Sequence, residues 1–349
     1  MPTDPFLEMV AKKAQVKLPL GEFDPVSCLR VPEHEITWPA APVIDMHCHV
    51  DGLDLEAVVK VMDACRIEHM VNISLAKGGE LDAIMRKFAA APAGRFTLFV
   101  LLDPAPLARN QPAGRLAEEL ERRVEQGARG LKVWKDVGLT ARDSAGQLLR
   151  LDDERFAAVF EKAAEIGIPV MLHTADPAAF FLPIDARNER YEELAAHPDW
   201  GFHGAAFPSK AALLEQRDRV LANHPRTAFL GAHVGSMEED LEKASQTLER
   251  FPNFSVDISA RAAELGRQPR TARGFFLRYP ERILFGSDLI PEISMYRLYY
   301  RMLETADEYF PYPTHESGQG RWRIYGLELP VETLRKVYSE NAQKFLVKI

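Results

Sequence analysis

Two histidines one residue apart, His47 and His49, close the short apolar run Val43-Ile44-Asp45-Met46-His47-Cys48-His49. In an extended strand residues i and i+2 share a face, so both imidazoles project together while Cys48 points the other way. Imidazole nitrogen is a standard ligand for zinc and its first-row neighbours, and a catalytic metal needs about three protein ligands and one open position. The same pair would serve as a strand cap, and a lone His-x-His decides nothing. Further groups of the right kind follow. The runs Pro169–His173 and Phe229–His233 both finish in histidine, and Ile283–Ser287 leads straight into Asp288. Singly, each is also explained as a cap. Together they put three more metal-competent side chains where apolar strands end. A fourth run, Gly130-Leu131-Lys132-Val133-Trp134, carries Lys132 among apolar neighbours, and a buried lysine is costly unless paired or neutralised.

The elements that would position these residues alternate along the chain. Strand-like runs cover Val43–His49, His69–Leu75, Phe96–Leu101, Gly130–Trp134, Pro169–His173, Ala228–His233, Phe254–Ile258 and Ile283–Ser287. Helix-period stretches lie between them, among them Leu55–Arg66, Glu80–Ala90, Leu116–Gln126, Arg155–Ile166, Ser209–Asn223 and Met237–Arg250. Eight strands in strict alternation with helices predict an α/β fold closed as a parallel barrel, with an open doubly wound sheet as the other architecture. In a parallel barrel all the strand ends named above meet at one face. Three segments fall outside the rhythm. Residues 1–42, with Pro25, Pro32, Pro39 and Pro42, read as an N-terminal arm packed on a single barrel domain of residues 43–349. Residues 174–208 form a long loop after strand five, and such loops are usually functional. The stretch 310–326 is rich in Pro, Tyr, Trp and Arg, and a last helix follows over 331–346.

With 349 residues, 46% of them hydrophobic, the chain can bury a large core. A net charge of -8 without a basic stripe argues against nucleic acid, and no apolar run approaches the roughly 20 residues of a membrane helix. Met1-Pro2-Thr3-Asp4-Pro5 lacks the basic start and apolar core of a secretory signal, and Cys28, Cys48 and Cys65 show no paired spacing. A reducing cytoplasmic setting is expected. No glycine-rich phosphate loop follows any strand.

The strings Ile44-Asp45-Met46-His47-Cys48-His49, Pro169–His173, Gly231-Ala232-His233, Ile283–Asp288 and Glu340–Leu346 resemble the amidohydrolase superfamily. Within it the chain is similar to the amidohydrolase-related group that includes aminocarboxymuconate semialdehyde decarboxylase. The resemblance runs from about Pro42 to Leu346 and implies a distorted (β/α)8 TIM barrel. It also implies one divalent metal held by His47, His49, His173 and Asp288, with His233 nearby as a catalytic or substrate-orienting group. Zinc is the first expectation and manganese or another first-row metal the next. Several branches of the superfamily carry a carboxylated lysine on strand four that bridges two metals, so Lys132 and His233 would join the ligands of a binuclear centre. One metal is preferred here, with Lys132 free to bind a substrate carboxylate.

Such a metal lowers the pKa of bound water from about 15.7 towards about 7. Asp288 then takes the proton of the attacking water and passes it on, and His233 donates a hydrogen bond to the oxyanion or holds the substrate carbonyl. The expected reaction is hydrolysis of an amide, ester or lactone in a small polar organic acid or sugar-like compound. The alternative is non-oxidative decarboxylation of an aromatic or unsaturated acid on the same ligands, and a non-catalytic binding protein has no need of an open metal position. Arg261 is the candidate for gripping a carboxylate, an ordinary salt bridge being the other account of it, and Trp134 the candidate pocket wall. Half of the aromatics in the loop after strand five are expected simply to pack it down. His315 and Glu316 are read as structural, and a homodimer through the arm or the tail is compatible with such barrels.

Overall fold

A computed structural model describes residues 18–23, 25–288, 290–312 and 319–346. Contacts divide the chain after Pro32. Up to that point the described residues are irregular apart from a 3-10 turn at Leu20–Glu22. From Glu33 onward the chain is a barrel. Its strands are β1 (Val43–Cys48), β2 (Ile67–Ile73), β3 (Phe96–Leu101), β4 (Gly130–Val133), β5 (Val170–Leu172), β6 (Phe229–Gly231), β7 (Phe254–Asp257) and β8 (Ile283–Leu284). They lie in sequence order and every neighbouring pair is parallel. Helices α1 (Leu55–Ala64), α2 (Gly78–Ala89), α3 (Gly114–Glu125), α4 (Ala157–Ile166), α5 (Lys210–Asn223), α6 (Leu241–Arg250), α7 (Pro269–Arg278) and α8 (Ile293–Glu304) follow the strands in turn. All eight expected strands form, and α7 and α8 complete the ring beyond the six helical stretches named above.

The sheet closes between β1 and the segment after β8. Met46 N–H donates to Phe285 O at 3.0 Å, and the Ser287 and Asp288 N–H groups both donate to His47 O, at 3.2 and 2.7 Å. Asp45 is fully buried and clasps the same seam. Its carboxylate accepts from His47 N–H, from the Ser287 N–H and hydroxyl, and from the Tyr296 hydroxyl of α8 at 2.8 Å. Inside the barrel, Ile44, Met46, Val71, Ile73, Phe99, Met171, Leu230 and Leu284 pack together. The end away from the strand C-termini is stoppered by Ala342, Phe345 and Leu346 of the last helix, which runs Val331–Arg335, a π turn Lys336–Glu340, and Asn341–Leu346. The larger layer between strands and helices includes Cys48, Val133, Phe160, Phe229 and Phe276.

The 174–208 segment is not a bare loop. It contains 3-10 turns at Ala178–Phe181 and Pro198–Trp200 and a short helix, Tyr191–Ala196. Arg190 anchors it: buried between Phe180 and Trp322, its guanidinium pairs with Glu193 at 2.8 Å and with Glu264 beyond β7. The 310–326 stretch contains a two-residue antiparallel ladder, Phe310–Pro311 with Arg323–Ile324. No helix among the described residues is long and apolar enough to cross a membrane.

Candidate metal centre

Regular alternation would send Met46 and His47 to opposite faces of β1. A bulge between Asp45 and Cys48, where the pairing with β2 slips, changes that. Met46 stays in the barrel interior while His47 also turns inward, and Cys48 reaches the outer side, where its thiol meets Val71 O. His49 follows just beyond the strand and faces the same side as His47, their ring centroids 5.5 Å apart.

Three imidazoles have one nitrogen tied down and the other directed at Asp288. His47 Nδ1 donates to Asp257 Oδ2 at 3.0 Å, His49 Nδ1 to Ile73 O at 2.7 Å, and His233 Nδ1 to Ser259 O at 2.8 Å. A carbonyl or carboxylate oxygen only accepts, so Nδ1 carries the proton in each ring and the neutral tautomer leaves a lone pair on Nε2. Asp288 Oδ1 lies 3.2 Å from His47 Nε2 and 3.0 Å from His49 Nε2, and Oδ2 lies 3.7 Å from His233 Nε2. Three lone pairs facing one carboxylate are acceptors set against an acceptor, and a cation reconciles them. Burial drives His233 well below its ordinary value, so it is neutral.

The backbone at two of these groups is strained. Asp288 has φ +57°, and His233, Val234 and Ser236 all have positive φ, which costs roughly 1–2 kcal/mol per residue. Local contacts hold the turn after β6. Asp257 Oδ1 accepts His233 N–H at 2.8 Å, buried Arg217 donates to Gly235 O at 2.6 Å, and Ser236 Oγ accepts from Ala175 N–H. Gly231 lets the turn fold back onto β7, since a Cβ there would sit 2.8 Å from the Gly235 Cα and inside the Phe254 ring.

His173 stands one ring further off, edge-on to His233 at 4.5 Å and to Trp134 at 4.8 Å. It is buried, and neither of its ring nitrogens makes a hydrogen bond, although Nε2 is 3.3 Å from Asp176 Oδ1. Burial lowers its pKa to about 4, leaving a neutral imidazole. Lys132 projects into the barrel with Nζ 3.4 Å from His47 Nε2 and 3.3 Å from the Met171 sulfur, and burial brings the ammonium down to about 8. The converging Nε2 atoms, the orphaned His173 ring and the Asp288 carboxylate are a donor set that fits a divalent first-row cation.

The structure thus brings His47, His49 and Asp288 within ligand distance of one another, with His233 beside them. It leaves His173 apart from that convergence and gives Trp134 contacts with both His173 and Lys132. Of the two accounts of Arg261, the structure shows the salt bridge. It is buried with Nε 3.0 Å from Glu238, so its charge already has an internal carboxylate. His233 differs from expectation: with Nδ1 donating to Ser259 O, its Nε2 accepts rather than donates. His315 and Glu316 lie outside the described residues. The sequence reading missed Asp257 and Ser259, whose atoms with His47 and His233 form a second, deeper cluster. Their i, i+2 spacing at the end of β7 was the available signal, the same one that marks His47 and His49.

A family model for amidohydrolases matches residues 30–347. The chain belongs to the amidohydrolase family. Among solved structures it is similar to an uncharacterized TIM-barrel protein from Bordetella bronchiseptica, at 14% identity and a TM-score of 0.56 over 88% of this chain and 99% of that one. It is similar to an amidohydrolase II, at 14% identity and a TM-score of 0.55 over 87% and 99%. It is also similar to a probable 2-pyrone-4,6-dicarboxylic acid hydrolase from Acinetobacter baumannii, at 11% identity and a TM-score of 0.50 over 88% and 100%. Likeness at these identities shows the shared barrel. No curated protein sequence matches the chain. Membership in the family supports an enzyme of the metal-dependent hydrolase or related decarboxylase type.

Proposed function

We propose that this amidohydrolase-family barrel is a metal-dependent hydrolase that opens an amide, ester or lactone bond in a small polar organic acid or sugar-like compound. The observation that carries the reading is the convergence of His47 Nε2 and His49 Nε2 on Asp288 Oδ1, at 3.2 and 3.0 Å, with the Nδ1 atom of each ring tied elsewhere. His47, His49 and Asp288 would hold one divalent cation, zinc first, and His173, which lies beside His233 and whose ring nitrogens make no hydrogen bond, would complete the set. Bound there, it supplies the Lewis acidity that brings the pKa of water towards about 7. Asp288 takes a proton at Oδ2 from the attacking water and returns it to the leaving group. His233 Nε2 accepts a hydrogen bond from substrate and orients it. Lys132 presents an ammonium that forms no ion pair with a described carboxylate, so a substrate carboxylate is its natural counter-charge. The fold relative described as a probable 2-pyrone-4,6-dicarboxylic acid hydrolase is in keeping with an acid substrate. The free cysteines, two of them buried, are in keeping with a cytoplasmic setting.

Lys132 is also the observation that favours a second reading, a non-oxidative decarboxylase of an aromatic or unsaturated acid. A cation beside the centre would hold the carboxylate that leaves. The test is metal analysis of the purified protein followed by a panel of lactones, esters, amides and unsaturated acids, scored for gain of water or release of carbon dioxide. Turnover that disappears on chelation, returns with added zinc or manganese, and is abolished by His47→Ala and by Asp288→Asn is the expected result. Turnover of a confirmed substrate that survives all of these changes overturns the site.

A further inference from the structure

One buried carboxylate touches both halves of the centre. Asp257, at the end of β7, accepts His47 Nδ1–H at Oδ2. At Oδ1 it accepts the Ser259 hydroxyl at 2.6 Å, the Ser259 N–H at 3.1 Å and the His233 N–H at 2.8 Å. The Ser259 hydroxyl in turn lies 2.9 Å from His47 Nδ1 and 3.0 Å from His233 Nδ1. We propose that Asp257 is the positioning carboxylate of the centre, fixing the metal-binding edge of His47 and pinning the left-handed turn that aims His233, with Ser259 as its partner. The inference rests on the reading of His47 as a metal ligand. Three strands are involved: β1 supplies the imidazole, β6 the strained turn, and β7 the group that ties them together.

Geometry gives the two oxygens separate duties. Oδ2 selects the His47 tautomer, because only a ring with its proton on Nδ1 can donate to it, and that ring offers the Nε2 lone pair to a cation. Oδ1 faces three donors and holds the backbone. An asparagine of the same shape separates the duties: its oxygen still accepts from Ser259 and His233, while its NH2 now confronts His47 Nδ1. The ring then moves its proton to Nε2 and loses the lone pair that binds metal. A role confined to packing would survive this substitution, since volume and the backbone anchor are unchanged.

The test is titration of the metal-free protein with Co²⁺ and Zn²⁺ in competition with a chromophoric chelator, for wild type, Asp257→Asn and Ser259→Ala. Circular dichroism and thermal melts check the fold. Asp257→Asn is expected to bind about 10–100-fold more weakly. Ser259→Ala, which removes one donor from the carboxylate, is expected to lose roughly three- to tenfold. Imidazole ¹⁵N spectra of the metal-free proteins are expected to show His47 with its proton on Nδ1 in wild type and on Nε2 in Asp257→Asn, with His233 unchanged. A folded Asp257→Asn that keeps wild-type metal affinity and the wild-type His47 tautomer overturns the inference while leaving the metal centre intact. If Asp257→Asn does not fold, unchanged affinity in Ser259→Ala overturns it. A wild-type protein that takes up no stoichiometric metal removes the underlying reading and the inference with it.

Discussion

Adding a single methyl group at Gly286 tests how tightly the barrel seam controls the centre. A Cβ at this position would lie 3.0 Å from the His47 Cβ, 3.3 Å from the Ser259 Cβ and 3.5 Å from the Asp257 Cβ. Unstrained carbons rest about 3.5–4.0 Å apart, so in Gly286→Ala His47 must retreat by roughly 0.5–1 Å. The backbone cannot carry the methyl away. Phe285 O and the Ser287 N–H on either side are hydrogen-bonded to β1, at Met46 N–H and His47 O. The strain therefore falls on the imidazole and its partners. Overpacking of this size costs about 1–3 kcal/mol of stability. Displacing a site group by about 1 Å costs up to about 10²-fold in rate. Thermal melts, zinc affinity and turnover measure the three consequences. Gly274→Ala is the control: this residue lies in α7, where a Cβ meets nothing within 4 Å, and replacing glycine within a helix gains about 0.5–1 kcal/mol. A Gly286→Ala protein with wild-type melting, metal affinity and rate would refute the close approach.

Two further substitutions address the scaffold. Asp307, whose side chain is buried, accepts from the His34 N–H and ring and from Arg301 Nε at 2.7 Å; burial opposes its ionisation, but these donors outweigh it and hold the carboxyl below its usual range. That stabilisation is present at neutral pH and is lost as pH falls below about 4 and through the folded value. Asp307→Asn should cost about 1.5–3 kcal/mol at pH 7, a gap that urea melts should show narrowing with acid; a gap independent of pH contradicts the account. Arg190→Met leaves Glu193 and Glu264 buried without their cation, a loss of about 3–5 kcal/mol. Because Arg190 anchors the 174–208 segment, limited proteolysis should cut there before the barrel unfolds, and an unchanged digestion pattern would count against the anchor.

The barrel was legible because its evidence is local. Each strand is a short apolar run, each is followed by a helix-period stretch, and a chain that repeats this eight times has few ways to bury both faces of its sheet. The histidines were legible for the same reason, since strand ends in such a barrel share one face. What sequence did not disclose depends on contacts between distant segments. The bulge that turns His47 inward is set by pairing with β2, and no spacing within β1 marks it. For Arg261 the sequence left a substrate carboxylate and an ordinary salt bridge equally open. Its partner Glu238 belongs to the loop after β6, 23 positions earlier in the chain, where nothing in either segment signals the other. The left-handed turn at 233–236 was equally hidden, because three of its four residues are not glycine and only the fold holds them there.

The polarity of His233 bears directly on the proposed chemistry. A ring that donates from Nδ1 to Ser259 O and is held neutral by burial has no proton on Nε2 to offer a developing oxyanion. It can accept from a substrate hydroxyl or from a proton in transit. The Lys132 ammonium, 3.4 Å from His47 Nε2, is a donor beside the centre. In the proposed reaction negative charge arising on the reacting group would be met by the bound cation, with Lys132 holding a substrate carboxylate and His233 steering a group that carries a hydrogen. In the hydrolase reading the carboxylate held by Lys132 would be a handle away from the bond that is cut, with a substrate hydroxyl on His233. In the decarboxylase reading the carboxylate held by Lys132 would be the group that leaves. The two readings thus differ in whether the carboxylate at Lys132 reacts, and replacing Lys132 with methionine separates them: in a hydrolase KM for an acid substrate rises while kcat changes little, whereas in a decarboxylase kcat falls as well.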